Sequence, residues 1–357
     1  MSKTSKKIDL LGNTLEEIKN YFNQYEVKSY RAEQIFNWIY KNGVFNLNNM
    51  QNMPDSLLED LAEIAQIETL ELLGKSKAED GTIKYLWKLS DGEKIESVYL
   101  PYEKEGRHSV CISTQVGCNI GCSFCATGLD GLKRDLEVSE ILAQVVQIQK
   151  DISKDDFLTP SITNVVFMGM GEPMNNLDNV LDSVNILNSK SALNIGMRKM
   201  TISTAGVVSG IKELAVRNKQ IGLAVSLNAP NDSLRSKIMP INDKYPLEKL
   251  IDSVKEYIEI TNRRVTFEYV MMKGVNDTPE HAYQLRRLIS DILCHINLIP
   301  VNPVSELDIY RPSQNAIEKF KKVLVEADID TTIRKERGVE IEAACGQLKR
   351  EGEKNGI

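Results

Sequence analysis

Between residues 110 and 327 the sequence alternates short apolar runs with longer amphipathic stretches, and this alternation constrains the fold more than any other feature. The short runs have the length of β-strands, whereas the longer stretches repeat apolar residues every three or four positions, as helices do. The candidate strands cover residues 110–116, 164–168, 199–203, 222–227, 265–271 and 296–301, and the candidate helices cover residues 137–150, 176–188, 206–217, 246–261, 279–293 and 314–327. Such alternation indicates parallel strands joined by right-handed crossovers.

The loops that follow these strands carry glycine and polar residues, which is typical of a barrel whose site lies at the carboxyl ends of its strands. We therefore predict an α/β protein built on an open, partial (β/α)6 barrel. Ahead of the barrel, helical periods over residues 14–25, 31–40 and 56–65 predict an N-terminal helical accessory domain.

Between the helices and the barrel, short alternating runs predict a small antiparallel β meander. The runs are broken by Asp80-Gly81 and Asp91-Gly92, which are dipeptides that favour tight hairpin turns. The predicted divisions are residues 1–66 for the helical domain, 67–102 for the meander, 103–345 for the barrel and 346–357 for a polar tail.

The composition of the chain indicates the cellular compartment in which it works. No run approaches the roughly 18 apolar residues of a membrane span, and the first residues lack the apolar segment of a signal peptide, so we expect a cytoplasmic protein. Thiols stay reduced there, which makes the six cysteines ligands or reactive groups rather than a disulfide framework.

The formal net charge of −6 argues against a nucleic-acid partner. A local positive surface requires the fold to gather basic residues that are scattered along the chain. The candidates are Lys104 with Arg107, Lys133 with Arg134, Arg263 with Arg264, and Arg286 with Arg287. Each pair taken alone is ordinary solvated surface.

Three cysteines are spaced four and then three residues apart in a loop that follows the first strand. They are Cys118, Cys122 and Cys125. A structural zinc site needs four ligands, usually from paired Cys-x2-Cys units, and the sequence has no second pair. Three thiolates instead suit an iron–sulfur cluster that leaves one iron open to a small molecule.

The Cys-x3-Cys-x2-Cys spacing, with Phe124 before the last cysteine, resembles the radical S-adenosylmethionine (radical-SAM) superfamily. The resemblance implies a 4Fe–4S cluster whose open iron binds the amino and carboxylate groups of S-adenosylmethionine. The run from Gly169 to Pro173 looks like the motif with which the superfamily holds the amino group of the cofactor, which makes Gly171 and Glu172 candidate contacts.

The other candidate cofactor contacts also lie at the ends of predicted strands. They are Ser203, Ser226, Leu227, Asn228 and Asn302. The period-two alternation places Ser226 and Asn228 on the face opposite Leu227, which indicates a polar inner surface. For any one of these residues, a capping or turn role is an equal alternative.

The remaining three cysteines lie outside the cluster loop. The same alternation places Cys111 with Ser113 and Gln115 on the polar, inner side of the first strand. Cys345 lies near the end of the sequence, before a glycine. Cys294 lies within an apolar run and is predicted to be a small buried hydrophobe.

Over essentially its whole length the chain resembles the RlmN/Cfr family of radical-SAM RNA adenine methyltransferases. The matching stretches are residues 115–128, 167–173, 226–230, 239–242, 274–277 and 343–348. One departure is Asn228, where many members have His; both side chains donate a hydrogen bond. The resemblance implies a monomeric enzyme that methylates adenine C2 in 23S rRNA and in tRNA and is reduced by flavodoxin or ferredoxin.

Adenine C2 is electron-poor and not nucleophilic, so polar methyl transfer fails and a radical is needed. The resemblance implies that Cys345 takes a methyl group from one S-adenosylmethionine and that a second molecule provides a 5′-deoxyadenosyl radical, which removes hydrogen from that methyl group. The resulting carbon radical adds to the base, Glu96 takes the C2 proton, and Cys111 attacks Cys345 to release product as a disulfide forms. From its neighbours alone, Glu96 is ordinary solvated surface.

Three alternatives remain open at the level of sequence. A Cfr-like enzyme would methylate C8 of the same ribosomal adenine, and Pro173 favours the C2 branch. A radical-SAM activase acting on a non-RNA substrate fits the acidic net charge, but the pair Cys111 and Cys345 opposes it. A non-enzymatic iron–sulfur protein that binds RNA would not cleave the cofactor.

Overall fold

The computed structural model describes residues 7–153, 156–217, 220–302, 307–343 and 346–348. At the N-terminus, strand β1 (Ile8–Asp9) pairs in parallel with β2 (Ala65–Gln66) and closes a unit of three helices. The helices are α1 (Leu15–Asn23), α2 (Ser29–Asn42) and α3 (Asp55–Ile64). Thr14 and Glu17 form a capping box at the start of α1. All three predicted helices are confirmed.

The predicted meander is also confirmed. It comprises β3 (Glu71–Lys77), β4 (Ile83–Lys88) and β5 (Lys94–Tyr102), which pair antiparallel in sequence order. Both turns place glycine in the left-handed region, with φ +83° at Gly81 and φ +88° at Gly92. Strand β5 pairs with β6 (Arg107–Cys111), so the meander and the barrel share one sheet.

The first barrel strand differs from the prediction of a continuous strand over residues 110–116. Strand β6 ends at Cys111, and β7 (Gln115–Gly117) pairs instead with β8 (Leu132–Asp135). The buried side chain of Gln144 explains the break, because it accepts from the Ser113 amide (2.8 Å) and donates to the Ser113 carbonyl (3.0 Å). Both backbone groups of Ser113 are therefore satisfied without a neighbouring strand.

The remaining strands run parallel to β6 and alternate with helices, as predicted. The strands are β9 (Asn164–Phe167), β10 (Met200–Thr204), β11 (Gly222–Ser226), β12 (Val265–Met271), β13 (Cys294–Pro300) and β14 (Thr331–Ile333). The helices are α4 (Val138–Ile152), α5 (Leu177–Asn188), α6 (Val208–Arg217), α7 (Asp232–Ile238), α8 (Leu247–Thr261), α9 (Pro279–Ile289) and α10 (Gln314–Val325). The three-residue strand β14 and the short helix α7 were not predicted.

Among the described residues these strands form one sheet in the order β14-β13-β12-β11-β10-β9-β6-β5-β4-β3. The edge strands β14 and β3 do not pair with each other, so the barrel is open, which confirms the predicted fold class. Its inner surface carries side chains from alternate positions of each strand. Within the same described ranges, none of the helices combines the length and the apolar character needed to cross a membrane.

Candidate functional site

The three clustered cysteines line one cavity at the carboxyl ends of the barrel strands, which we call the upper cavity. Its wall also contains Glu172, Ser203, Ser226, Glu268, Asn302 and Gly346. The cysteine loop leaves β7 through Gly117, which has φ +77°; a Cβ at this position would lie 1.9 Å from the carbonyl oxygen of Gly131. Only glycine fits there, and its lack of a side chain lets the end of β7 approach the Gly131 carbonyl, just before β8, closely.

The chemistry of these thiols fits a cluster. Burial raises the pKa of Cys118 to about 12 and holds the pKa of Cys122 well above its usual range, and the neighbouring Cys125 adds to both shifts. Thiolates in such a place need a bound cation to compensate their charge. Among the described residues, no three His, Cys, Asp or Glu side chains are grouped to hold a single metal ion. Three sulfurs around one cavity match the thiolate ligand set of an iron–sulfur cluster.

Glu172 is buried at the edge of the same cavity. Its carboxylate accepts from the amides of Ala205 (2.6 Å) and Met174 (3.0 Å), and its own amide donates to Gln115 (2.7 Å). Gly171 has φ +104°, and a Cβ there would lie 2.6 Å from the side chain of Gln115. This close packing presents a carboxylate that an ammonium group in the cavity would hold in its charged form.

Burial raises the pKa of Glu172 from 4.5 to about 7, against the opposing effect of the amide hydrogen bonds. The folded protein then binds this proton more tightly than the unfolded chain does. We expect the free energy of unfolding of the metal-free protein to fall by roughly 3 kcal/mol as the pH rises from about 4.5 to above 7. Urea denaturation at a series of pH values measures this slope, and Glu172→Gln should abolish its Glu172 component. A slope that is unchanged in the variant would contradict the assignment.

The predicted cofactor contacts divide into two groups. Gly171, Glu172, Ser203, Ser226 and Asn302 line the upper cavity. Leu227 and Asn228 are fully buried beside it and are not part of the described lining.

The side chain of Asn228 is engaged within the protein. Asn228, with φ +58°, accepts from the amide of Val270 (2.8 Å) and has its side-chain nitrogen 3.2 Å from the sulfur of Met239. These contacts hold the loop after β11 in place.

A residue that the sequence analysis missed holds two of these loops together. Arg235, in α7, is fully buried and donates to the carbonyls of Ala205 (2.7 Å), Leu227 (3.0 Å) and Ser226 (3.2 Å). Burial lowers its pKa to about 10. The guanidinium thus joins the carboxyl ends of β10 and β11, where both strands face the upper cavity.

Replacing Arg235 with Met is expected to lower the free energy of unfolding by about 3–5 kcal/mol, because the buried carbonyls lose their donor. Chemical denaturation measures the change. Arg264→Met is the matched control, since Arg264 is exposed and its ion pair with Asp330 lies at the surface; the substitution should cost less than about 1 kcal/mol. Equal losses in the two variants would contradict a clamping role.

Glu96 is fully buried on the inner face of β5, so its assignment to solvated surface is wrong. Its carboxylate lies 3.1 Å from the ammonium of Lys84, which is also buried. In the antiparallel register Val98 faces Cys111, and Glu96 lies two residues from Val98 on the same face. The sequence analysis did not single out Lys84. Its position between the apolar residues Ile83 and Tyr85 of a strand was the signal that could have found it.

Cys111 lines a small pocket with Leu100, Met168, Asn302, Ala343 and Leu348. The expected partner of Cys111, Cys345, lies outside the described residues, and no disulfide is found among the described ones. Gly346 and Leu348 contact the chain just after the cluster cysteines, because the amide of Ala126 donates to the carbonyl of Gly346 (2.8 Å) and the hydroxyl of Thr127 donates to the carbonyl of Leu348 (2.6 Å). Cys294 is buried, as predicted.

Of the basic pairs, one borders a wide cavity at the other end of the barrel, which we call the lower cavity. Lys104 and Arg107 line this space of about 890 Å³ together with Arg334, Lys335 and Arg337, but Asp80, Glu103 and Glu105 line it as well. The Tyr102 ring lies between the guanidinium groups of Arg107 (3.7 Å) and Arg337 (4.2 Å). In the other pairs, Arg134, Arg264 and Arg287 form ion pairs with acidic neighbours.

Two family models match the sequence. The Radical SAM superfamily model matches residues 112–286, and the model described as Ribosomal RNA large subunit methyltransferase N-terminal domain matches residues 8–67. The first covers the cluster loop and strands β9 to β12, which line much of the upper cavity, and the second covers the N-terminal helices.

Curated and solved relatives match nearly the full length. The "Probable dual-specificity RNA methyltransferase RlmN" of Clostridium novyi (strain NT) is 47% identical over 343 residues, which is 96% of this chain and 98% of that protein. The protein of the same description from Geobacillus kaustophilus (strain HTA426) is 47% identical over 94% of this chain and 91% of its own length. The crystal structure of a radical SAM methyltransferase from Sphaerobacter thermophilus superposes with a TM-score of 0.91 at 42% identity and covers 96% of this chain and 100% of that chain.

Proposed function

We infer that this chain, which belongs to the RlmN family of radical-SAM dual-specificity RNA methyltransferases, methylates adenine at C2 in ribosomal and transfer RNA. The reaction takes place in the upper cavity. The observation that carries the proposal is the composition of one wall. Cys118, Cys122, Cys125, Glu172 and Gly346 all line the same cavity, so the cluster ligands lie beside the residue that follows Cys345.

The family implies a 4Fe–4S cluster and S-adenosylmethionine, and the donor set fits both. Cys118, Cys122 and Cys125 would hold the cluster, and Glu172 with the backbone of Gly171 would receive the amino group of the cofactor. When bound, the reduced cluster supplies the electron that releases a 5′-deoxyadenosyl radical from the cofactor. Two cofactor molecules are used per turnover, one as methyl donor and one as radical source.

The thiols of this chain carry the covalent steps. Cys345 would take a methyl group, lose one hydrogen atom of that group to the 5′-deoxyadenosyl radical, and join adenine C2 through the resulting methylene radical. The adduct must then give up one electron, which the oxidised cluster would accept, together with the C2 proton. Glu96 accepts the proton from C2, held in place by the ion pair with Lys84.

Product release depends on Cys111, whose pocket contains Ala343, a residue that comes two positions before Cys345 in the sequence. The Cys111 thiolate attacks the sulfur of Cys345 and a Cys111–Cys345 disulfide forms. The carbon–sulfur bond to the product breaks, and its electron pair stays on the methylene carbon, which takes a proton and becomes the methyl group of the product. Two electrons from a donor such as flavodoxin or ferredoxin then restore both thiols. We further propose that the enzyme works as a monomer in the cytoplasm, where these RNAs are found.

Nucleoside mass spectrometry tests the proposal. The chain is expressed in cells that lack their own adenine-C2 methyltransferase, and ribosomal and transfer RNA are purified and digested. We expect 2-methyladenosine in both RNAs, and none from cells that express Cys345→Ala. The appearance of 8-methyladenosine instead would overturn the C2 assignment, and the absence of any new methyladenosine would overturn the function.

A further inference from the structure

A buried ion pair lies on the inner face of the meander. Lys84 of β4 is 8% exposed and Glu96 of β5 is fully buried, and the charged groups of the two side chains are 3.1 Å apart. A buried ion pair often contributes no more to stability than apolar side chains of similar size would. The presence of this pair inside the sheet therefore indicates a role beyond folding.

The sheet register determines what surrounds the Glu96 carboxylate. Leu86 faces Glu96 across the ladder of β4 and β5, and Val98 faces Lys84 at the next level. The backbone amide of Glu96 lies 3.4 Å from the sulfur of Met170, which is also buried. The carboxylate is thus surrounded by apolar side chains and is in direct contact with the ammonium of Lys84.

Other titratable side chains on this face of the sheet lie at neighbouring levels. Lys94 comes two residues before Glu96 on β5, Lys88 faces Lys94 from β4, and Cys111 faces Val98 from β6. Lys88 and Lys94 are both partly exposed, toward the turn that joins the two strands. Lys84 is therefore the lysine of this face that is buried together with the carboxylate.

A general base must be ionised before it receives a proton, and burial opposes the ionised form of a carboxyl group. Glu172 shows this effect in the same barrel, because burial raises its pKa to about 7 although two backbone amides donate to it. Glu96 is buried as deeply. The opposite charge at 3.1 Å favours its ionised form, which is the form that can act as a base near neutral pH.

We propose that Lys84 is a positioning residue of the methylation reaction, which keeps the Glu96 carboxylate ionised and oriented until the C2 proton is transferred to it. The inference rests on the proposed function for the identity of that proton. When the proton moves from C2 to Glu96, the carboxylate becomes neutral and the ammonium loses this counter-charge. A buried unpaired charge is costly, so the ammonium also favours release of the proton to solvent and the return of Glu96 to its ionised form.

The pH dependence of methylation tests the proposal. Single-turnover rates with RNA are measured from about pH 6 to about pH 9 for the unsubstituted enzyme and for Lys84→Met. Without the ammonium Glu96 holds its proton up to a higher pH, so the acid limb of the profile should move upward by about 1–3 pH units. The variant should be slower by about 10-fold or more at the acid end of the range and should recover as the pH rises. A loss by the same factor at every pH, as a merely structural role would give, would overturn the proposal.

Two further substitutions on β4 are the controls. Lys84→Arg keeps the charge and should return the acid limb to its place in the unsubstituted enzyme, even if the rates are lower. Lys88→Met removes an exposed ammonium that pairs with Glu71 (2.9 Å), and its rates should stay within about twofold at every pH. An acid limb in Lys84→Arg that coincides with that of Lys84→Met, or a limb displaced as far in Lys88→Met, would contradict the proposal.

Infrared spectroscopy measures the charge of Glu96 without turnover and does not depend on the folding of a Lys84 variant. The difference spectrum between the reconstituted unsubstituted enzyme and Glu96→Gln isolates the bands of this one carboxyl group. At neutral pH we expect carboxylate bands and no carboxylic-acid band. In the Lys84→Met background the same difference should show the carboxylic-acid band. A protonated Glu96 in the unsubstituted enzyme at neutral pH would overturn the proposal.

The two measurements separate this inference from the function on which it rests. Failure of the unsubstituted enzyme to methylate adenine C2, with the infrared bands as expected, would count against the proposed function alone. Methylation at C2 with an unshifted acid limb in Lys84→Met would count against the role of Lys84 alone.

Discussion

An enzyme in which Cys111 is replaced by Ala is expected to accumulate as a covalent protein–RNA adduct. In the proposed mechanism the adduct forms through Cys345, and its release needs a second thiol that attacks the Cys345 sulfur. Cys111 lines a pocket with Ala343 and Leu348, on either side of Cys345 in the sequence, and is the described thiol suited to this role. Denaturing gel electrophoresis of the purified variant should show a slowly migrating species. Nuclease treatment should convert this species to the protein with one modified nucleotide attached.

Two further variants test whether the adduct forms through Cys345 and whether its accumulation is specific to the loss of Cys111. Cys111→Ala combined with Cys345→Ala should give no adduct, since the carbon-carrying sulfur is absent. Cys294→Ala is the matched control, because Cys294 is likewise buried in a barrel strand but is not among the residues that line the Cys111 pocket. It should behave as the unsubstituted enzyme. Multiple turnover by the Cys111→Ala enzyme without an adduct would contradict the proposed role of Cys111 in product release.

Replacing Glu96 with Gln is expected to slow methylation by about 10²–10⁴-fold, which is the usual contribution of a positioned base. Gln keeps the shape of the side chain but cannot take the C2 proton. Single-turnover assays with RNA and product quantification by mass spectrometry measure the rate, and binding of the RNA should be little changed.

The chain offers a matched control for this substitution. Glu71 pairs with Lys88 (2.9 Å) across the same meander, but both side chains of that pair are exposed. Glu71→Gln should therefore leave the rate within about twofold and cost less than about 1 kcal/mol of stability. A Glu96→Gln enzyme that matches the Glu71→Gln enzyme in rate would show that the buried pair with Lys84 is structural only.

Much of the fold followed from local patterns. Three patterns each depend only on residues that are close in the sequence. They are the helical periods, the hairpin dipeptides at residues 80–81 and 91–92, and the alternation after residue 110. The corresponding elements were therefore predicted close to their observed bounds. The division into domains stays a prediction.

The elements that were wrong or missing depend on distant partners. The strand predicted over residues 110–116 breaks because Gln144 binds both backbone groups of Ser113. Strand β14 is only three residues long and forms because it pairs with β13. Neither the partner side chain nor the partner strand is visible in the short segment itself.

The sequence by itself determined the kinds of reactive group and their local spacing. Three thiols in one short loop predicted an iron–sulfur cluster from residue type and spacing alone. The cofactor contact at Glu172 and the covalent route through Cys111 and Cys345 were implied by the resemblance to a family, and these roles stay predictions.

Only the tertiary structure decided how the charged residues are used. Lys84 meets Glu96, Arg235 joins two loops, and Glu268 lies between Ser226 and Asn297, because sheet register and helix packing bring together positions that are distant in the chain. Burial removes these groups from water and so raises the free-energy cost of an unpaired charge. The burial results from the packing of the whole barrel and cannot be seen in any single segment.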